Sequence, residues 1–305
     1  MKQKNVSLIS SFCLILTAAI WGFAFVIVKD SLDYVGSIWM IAFRFTIAAV
    51  VLALIFFKKF KMLSKKILLE GAFLGFLLFM AYLMQTIGCF YTTAGKNAFL
   101  TAVYVVFIPI IMWPLTKKRP RWYVFLAALM CLTGIGLLAL TGGNGGSVNV
   151  GDILTLICGL FYALHIIFVS RTGQKDDPVL LTILQFAFAA VFAWCLSPFI
   201  KNPKINGPFP LDQLAQPMVI MSMLYLGLFS TALAFLMQNV CLKFVAAPLA
   251  SLFLSLESVF GVLFSTFILK EVLTKRMIFG CLLIFASIIL AEVLPGLEEE
   301  RRRSK

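Results

Sequence analysis

The sequence predicts an all-α integral membrane protein of ten transmembrane helices, arranged as a 5+5 inverted repeat. Three observations predict it. The apolar residues fall into runs of about one bilayer thickness, the cations between the runs are unevenly shared, and the chain repeats itself over a unit that holds an odd number of runs.

The 305 residues are 62% hydrophobic and 13% charged, about half the charged share of a soluble domain, and the mean hydropathy is +1.02. Runs of roughly 20 apolar residues match about 30 Å of hydrocarbon at 1.5 Å per helical residue. Ten occur, at about 8–28, 37–57, 67–90, 97–115, 122–141, 150–170, 178–199, 217–240, 247–269 and 277–294. The first run is too long for the apolar core of a secretion signal. It ends in Lys29-Asp30 without a small-residue cleavage site, so it is expected to be retained. The seven cysteines all fall inside predicted helices and form no Cys-x-x-Cys pair. They read as small buried apolar residues, with no disulfide or zinc framework.

The net charge of +13 does not point to nucleic acid once its distribution is considered. With the N-terminus in the cytoplasm, 18 cations fall on that side: Lys2 and Lys4, the Lys58–Lys66 cluster, Lys117 to Arg121, Arg171, Lys175, Lys243 and the Arg301–Lys305 tail. Seven face outward: Lys29, Lys96, Lys201, Lys204, Lys270, Lys275 and Arg276. The positive-inside rule therefore predicts a multi-pass protein of the cell (inner) membrane with both termini cytoplasmic. The bias is strong in the first half, 11 against two, and weak in the second, seven against five.

Ala81-Tyr82-Leu83-Met84-Gln85 recurs as Ala234-Phe235-Leu236-Met237-Gln238, an offset of 153. The same offset carries Ala94 onto Ala247, Val106-Phe107 onto Val259-Phe260 and Lys117 onto Lys270. Earlier in the chain an offset of 141 carries Trp21-Gly22 onto Tyr162-Ala163, Arg44-Phe45 onto Gln185-Phe186 and Ala48-Ala49-Val50 onto Ala189-Ala190-Val191. The two offsets differ by the longer proline-rich connection between Asn202 and Pro217. The organisation is thus a five-helix repeat at 1–141, a linker at 142–149, a second repeat at 150–294 and a charged cytoplasmic tail at 295–305. Five is odd, so the second copy enters from the opposite face, an arrangement that recurs in secondary transporters.

Ala18-Ala19-Ile20-Trp21-Gly22-Phe23-Ala24-Phe25 resembles the first-helix signature of the EamA-type transporters in the drug/metabolite transporter superfamily. Gly151-Asp152 is similar to the start of that family's second repeat. Leu256-Glu257-Ser258-Val259 and Leu269-Lys270-Glu271-Val272-Leu273 are similar to its Leu-Glu-Pro-Val and Gly-Glu-Arg-Leu segments, with Ser258 in place of proline and Lys270 in place of glycine. The resemblance spans essentially the whole chain. It implies a 5+5 inverted-repeat bundle around a central cavity, moving small metabolites, often outward.

Ionisable groups in membrane helices cost about 2.5–3.5 kcal/mol at the helix centre, so each asks for a reason. Glu257 is expected near the midplane, on a face shared with Ala246, Ala250 and Gly261. It reads either as a cavity carboxylate for a cation or proton, or as a hydrogen bond locking two helices. Arg44, replaced by Gln185 in the other repeat, reads as a one-sided functional group, as a cation snorkelling outward, or as an ion-pair partner of Glu257 or a helix C-terminus. His165, the only histidine, reads as a buried polar residue or a proton relay. The matched Gln85 and Gln238 read as gates at opposite mouths or as interhelical hydrogen bonds. Trp21 and Tyr162, too deep for interfacial anchors, join Tyr82 and Tyr104 as candidate cavity walls for aromatic or cationic solutes, or as packing.

The glycine-rich stretch Thr141–Gly146 lacks a following Lys-Ser/Thr, so it reads as a linker and not a phosphate cradle. With no nucleotide loop, metal cluster or cofactor motif, the expected partners are a small-molecule solute and membrane lipids. The expected function is a secondary transporter, an exporter by the resemblance, of small metabolites, amino acids or drug-like solutes. The competing readings are a membrane-embedded enzyme on lipid-linked substrates, which would need clustered nucleophiles near one interface, and a non-transporting partner or sensor.

Overall fold

The computed structural model describes residues 2–32, 34–91, 97, 100–117, 119–139, 149–200, 202, 205–269 and 274–303. Ala94, Lys96, Lys118, the glycine-rich stretch at 141–146 and the rest of the linker up to 148, Lys201, Lys204, the 270–273 segment and Lys305 lie outside the described residues.

Among the described residues every regular element is helical. The helices are α1 (Lys2–Ser31), α2 (Ser37–Ile55), α3 (Lys65–Tyr91), α4 (Tyr104–Thr116), α5 (Trp122–Ala139), α6 (Val150–Thr172), α7 (Pro178–Leu196), α8 (Pro217–Cys241), α9 (Ala247–Leu254), α10 (Glu257–Leu269) and α11 (Lys275–Arg303). Among the described residues, seven stretches are long and apolar enough to cross a membrane: Leu8–Val28, Ser37–Ile55, Lys65–Tyr91, Val150–Thr172, Pro178–Phe199, Pro217–Cys241 and Ala247–Phe264. Shorter apolar helices cover Tyr104–Thr116 and Trp122–Leu137. The chain is a multi-pass helical membrane protein. α11 runs unbroken to Arg303, through most of the stretch expected as the charged tail.

Local chemistry fixes the starts of α6 and α7. The Asn149 side chain accepts from the Asp152 amide at 3.0 Å while the Asp152 carboxylate accepts from the Asn149 amide at 3.1 Å, a reciprocal capping box. Asp177 accepts from the Val179 and Leu180 amides at 3.0 Å each, and Pro178 opens the helix where its missing N–H costs nothing.

Two helices are irregular. α8 passes through a π-helical stretch at Tyr225–Leu233, where the Thr231 hydroxyl donates to the Leu226 carbonyl at 2.7 Å, five residues back. The membrane helix starting at Ala247 breaks at Ser255-Leu256, so that Glu257 opens a fresh helical segment, α10. The break forms without the proline that the resembling family carries next to this glutamate. Ser255 favours it, because its hydroxyl donates to the Leu252 carbonyl at 2.6 Å and competes with the helix ladder.

Packing follows a repeated scheme. α3 lies along α6 and α7, and α8 lies along α1 and α2. α1 packs on α10 as α6 packs on α4, while α2 pairs with α7 and α5 with α11. Small residues permit the close approaches, as they do between membrane helices generally. A Cβ at Gly75 would stand 2.8 Å from Phe188 Cβ, and one at Gly227 would stand 2.8 Å from Ile47 Cβ.

Candidate solute-binding cavity

A cavity of about 940 Å³, including open space at its mouth, lies between α1, α2, α3, α4, α6, α8, α9 and α10. Its lining reaches Val28, Met40 and Cys89, each within a turn of the helix ends that carry the connections at 32–36 and 92–96. At the opposite, cation-rich end the bundle is tied shut. Lys59 pairs with Asp177 at 2.6 Å and Lys66 with Asp176 at 2.7 Å. Ser170 Oγ donates to the Leu242 carbonyl at 3.3 Å, and Gln174 Nε2 to the Lys243 carbonyl at 2.7 Å. Burial pushes the Asp177 carboxyl up, but the Lys59 hydrogen bond and the first amides of α7 outweigh it and hold the group below the ordinary aspartate value near 3.8.

All five expected wall residues, Trp21, Tyr82, Tyr104, Tyr162 and Glu257, line this cavity. Gly22 brings α1 against the start of α10, since a Cβ there would stand 2.9 Å from the Glu257 carbonyl oxygen and 2.7 Å from Phe260 Cβ. Adjacent in sequence, Trp21 donates from Nε1 to the Ser230 carbonyl at 2.8 Å. That bond, with Tyr225 Oη to the Ile20 carbonyl at 2.9 Å, fastens α1 to the π-helical part of α8. Trp21 and Phe235 rings meet at 4.8 Å, Tyr82 and Tyr162 at 5.8 Å, and Tyr104 and Tyr162 at 6.5 Å, so the wall is a connected set of tilted and edge-to-face aromatic pairs.

Arg44 lines the cavity yet is only 4% exposed. It donates from Nε to Thr231 Oγ1 at 2.9 Å and from Nη2 to Ser230 Oγ at 3.0 Å, and its guanidinium sits 4.6 Å from the Tyr82 ring centre. This arrangement replaces both expected bland readings. The residue does not snorkel, because its polar end is satisfied inside the bundle, and among the described residues it forms no ion pair with Glu257. The Tyr104 hydroxyl lies within electrostatic reach of Glu257, yet it is buried and meets no partner in hydrogen-bond geometry.

Gln85 and Gln238 both line the cavity. Gln85, half-buried, accepts from the Tyr162 hydroxyl and donates to Thr101 Oγ1, each at 3.3 Å. Its backbone carbonyl accepts from Asn97 Nδ2 at 3.0 Å, and the same nitrogen donates to Thr155 Oγ1 at 2.9 Å. Gln238 is buried toward the closed end and donates to Asn239 Oδ1 at 3.3 Å. His165 does not line the cavity; it sits behind the wall, 2.8 Å from Gln185 Oε1. The expectation for the cysteines holds for buried Cys131, Cys158 and Cys241 and fails for Cys195, whose side chain is exposed on the outside of the bundle.

Sequence reasoning missed Ser230, Thr231, Asn97, Thr101 and Phe235 as parts of this site. Phe235 was within reach, since it occupies the position of Tyr82 in the repeated pentapeptide. Ser230 and Thr231 carry one faint signal. Gly75 matches Gly227, early in the π-helical stretch, at an offset of 152, while the pentapeptide after the stretch matches at 153, the trace of one inserted residue.

Fold and cavity thus define a class, a polytopic helical membrane protein with a polar-edged aromatic cavity at its centre. The EamA-like transporter family model matches this chain twice, over residues 8–140 and 149–292, and the chain belongs to that family. An uncharacterized transporter of Archaeoglobus fulgidus is 33% identical over 92% of this chain and 84% of its own length. The uncharacterized transporter YvbV of Bacillus subtilis is 25% identical over 94% and 92%. A crystal structure with 17% identity superposes at a TM-score of 0.77 over 95% of this chain and 97% of the other, a likeness of fold.

Proposed function

We propose that the chain is a secondary carrier that exports a small metabolite, amino acid or drug-like solute by alternating access. In this reading the chain crosses the cell membrane ten times as a 5+5 inverted repeat with both termini cytoplasmic. The packing scheme supports the repeat, because the main contacts between helices have counterparts between their partners in the other half. With the cation-rich end inside, the cavity faces outward in this structure.

The observation that carries the proposal is a cavity open at one end and tied shut at the other, with polar groups held ready at its centre. Leaving a buried polar group unpaired costs about 1–3 kcal/mol. The Tyr104 hydroxyl stands beside the Glu257 carboxyl without a hydrogen bond of good geometry, so a solute polar group placed between them would complete both. Glu257 is the proposed binding point for a solute cation or a coupling proton, and the four aromatic side chains are the walls around the apolar part. Arg44 sets the position of α2 on α8 and the tilt of Tyr82. Gln85 and Gln238 are the proposed gates, and export is the direction implied by the resemblance.

The test is counterflow in proteoliposomes loaded in turn with a panel of metabolites, amino acids and cationic drugs. At least one loaded solute is expected to drive uptake of its own tracer, and the Glu257→Gln protein should lose that exchange. A wild-type protein that is stabilised by a solute but never exchanges it would be a sensor, and the carrier reading would fall.

A further inference from the structure

From Gln238 at the wall of the cavity a second polar cluster runs toward the closed end, made with His165, Thr182, Gln185 and Asn239, all buried. Asn239 Nδ2 donates to Thr182 Oγ1 at 2.9 Å, Gln238 Nε2 to Asn239 Oδ1 at 3.3 Å, and His165 Nε2 meets Gln185 Oε1 at 2.8 Å. Two atoms are left over, His165 Nδ1 and Gln185 Nε2, both buried without a partner. This remainder does not depend on how imidazole and amide are oriented. If His165 Nε2 donates, the orphans are an acceptor on Nδ1 and a donor on Gln185. If the amide is turned, they are a donor on Nδ1 and an acceptor on Gln185. Either way the pair leaves one donor and one acceptor unsatisfied.

The repeat says what the cluster corresponds to. The offsets of 141 and 153 carry the cavity-lining residues Ala24, Val28, Ile41, Arg44, Gln85 and Thr86 onto His165, Val169, Thr182, Gln185, Gln238 and Asn239. Each of these counterparts is buried near the shut end, in the place the open vestibule would occupy after exchange of the two halves. Ile166, next to His165, and Gln238 both line the cavity, so the cluster abuts the existing space.

We infer that this cluster is the closed half of the solute path, and that the His165–Gln185 pair is its binding point for a neutral group that both donates and accepts, such as a hydroxyl or a carboxamide. A carboxylate would satisfy only the donor and an ammonium only the acceptor, so neither matches the pair as well. The two vestibules therefore offer different chemistry to one solute. Arginine stands on the open side where the glutamine–histidine pair stands on the closed side. This inference rests on the alternating-access reading.

Single cysteines at positions 169 and 182, with 28 and 41 as their counterparts, are placed in a chain whose seven native cysteines are replaced by alanine. A membrane-impermeant maleimide is applied to right-side-out and inside-out vesicles. Val169→Cys and Thr182→Cys are expected to react faster from the cation-rich face than from the other face, on the order of tenfold, and Val28→Cys and Ile41→Cys the reverse. If counterflow proceeds while 169 and 182 react from neither face, the path leaves elsewhere. The cluster assignment is then wrong and the carrier stands. If there is no counterflow either, both fall.

A second measurement separates binding from packing. Replacing both partners of a buried polar pair by apolar groups is nearly neutral for stability. The double variant His165→Leu, Gln185→Leu should therefore keep its unfolding temperature, yet lose exchange on the order of tenfold. Stability and exchange falling together would make the pair a structural bond and overturn the inference. Should the double variant fail to accumulate, His165→Gln, which retains one donor and one acceptor, is expected to keep exchange while His165→Phe abolishes it. Equal exchange in the two would also overturn it.

Discussion

In the carrier reading, the two vestibules of this bundle are built on one scaffold and furnished differently. On the open side Arg44 makes two hydrogen bonds and a cation–π contact, and Gln85 is bonded on both ends of its amide. On the closed side Gln185 occupies the position of Arg44, and it and His165 are each left half satisfied. In that reading the backbone correspondence supplies the geometry of two similar states, while the side chains set which state is lower in energy and what each grips. A buried charge with excellent partners resists rearrangement, because breaking it exposes an uncompensated ion. A half-satisfied neutral pair costs energy where it is and gains on hydration. In this reading Arg44 is the firm side and His165–Gln185 the side poised to move.

The largest expected effect is at Glu257. Glu257→Gln should lower solute exchange more than tenfold, on the order of the 1.4 kcal/mol or more that separates a matched from a mismatched polar group. Its unfolding temperature in detergent should change little; equal loss of both would return the residue to a helix lock. Next comes Arg44→Gln, which removes the donors to the Ser230 and Thr231 Oγ atoms and leaves Ser230 Oγ unpaired, and should destabilise by about 1–3 kcal/mol. The matching Gln185→Leu change should cost less, so an equal cost would break the comparison between the two sides.

Gly22→Val sharpens the comparison from the scaffold side. Its added carbons would push α10 off α1 beside Glu257, so exchange should fall strongly, whereas Ala163→Val at the corresponding position should be milder. Radiotracer exchange of the two variants decides the order. The smallest effect belongs to Asp177. Its partly exposed bridge to Lys59 is worth about 0.2–1 kcal/mol. The carboxyl is held below its ordinary value, so its stabilisation is present above the unfolded pKa and is lost as pH falls through the folded one. Unfolding temperature should therefore drop less steeply below pH 4 in Asp177→Asn than in the wild type, while the two lie close together at pH 7.

Much of this was written in the sequence. Uniform apolar runs mark the helices because a membrane leaves few other ways to satisfy a backbone. The rarity of ions within those runs made Glu257 and Arg44 visible, and the repeated pentapeptide gave Gln85 and Gln238. What stayed hidden depends on backbone irregularity. The π-helical stretch turns Ser230 and Thr231 toward Arg44, yet Tyr225–Leu233 reads as ordinary membrane helix. The break before Glu257 falls at serines, which are common in unbroken helices as well. Pairing across distance was equally opaque: nothing in the sequence joins Arg44 to α8 and not to Glu257.

Alternating access is the central claim, and the matched glutamines test it most directly. Cysteines at positions 85 and 238, in a chain without native cysteines, are labelled with and without a solute that shows counterflow. The account predicts reciprocal change: a solute that favours one state raises one labelling rate and lowers the other, because a ligand shifts populations only through its differential affinity. Rates that rise together, or that ignore a solute known to be exchanged, would contradict it.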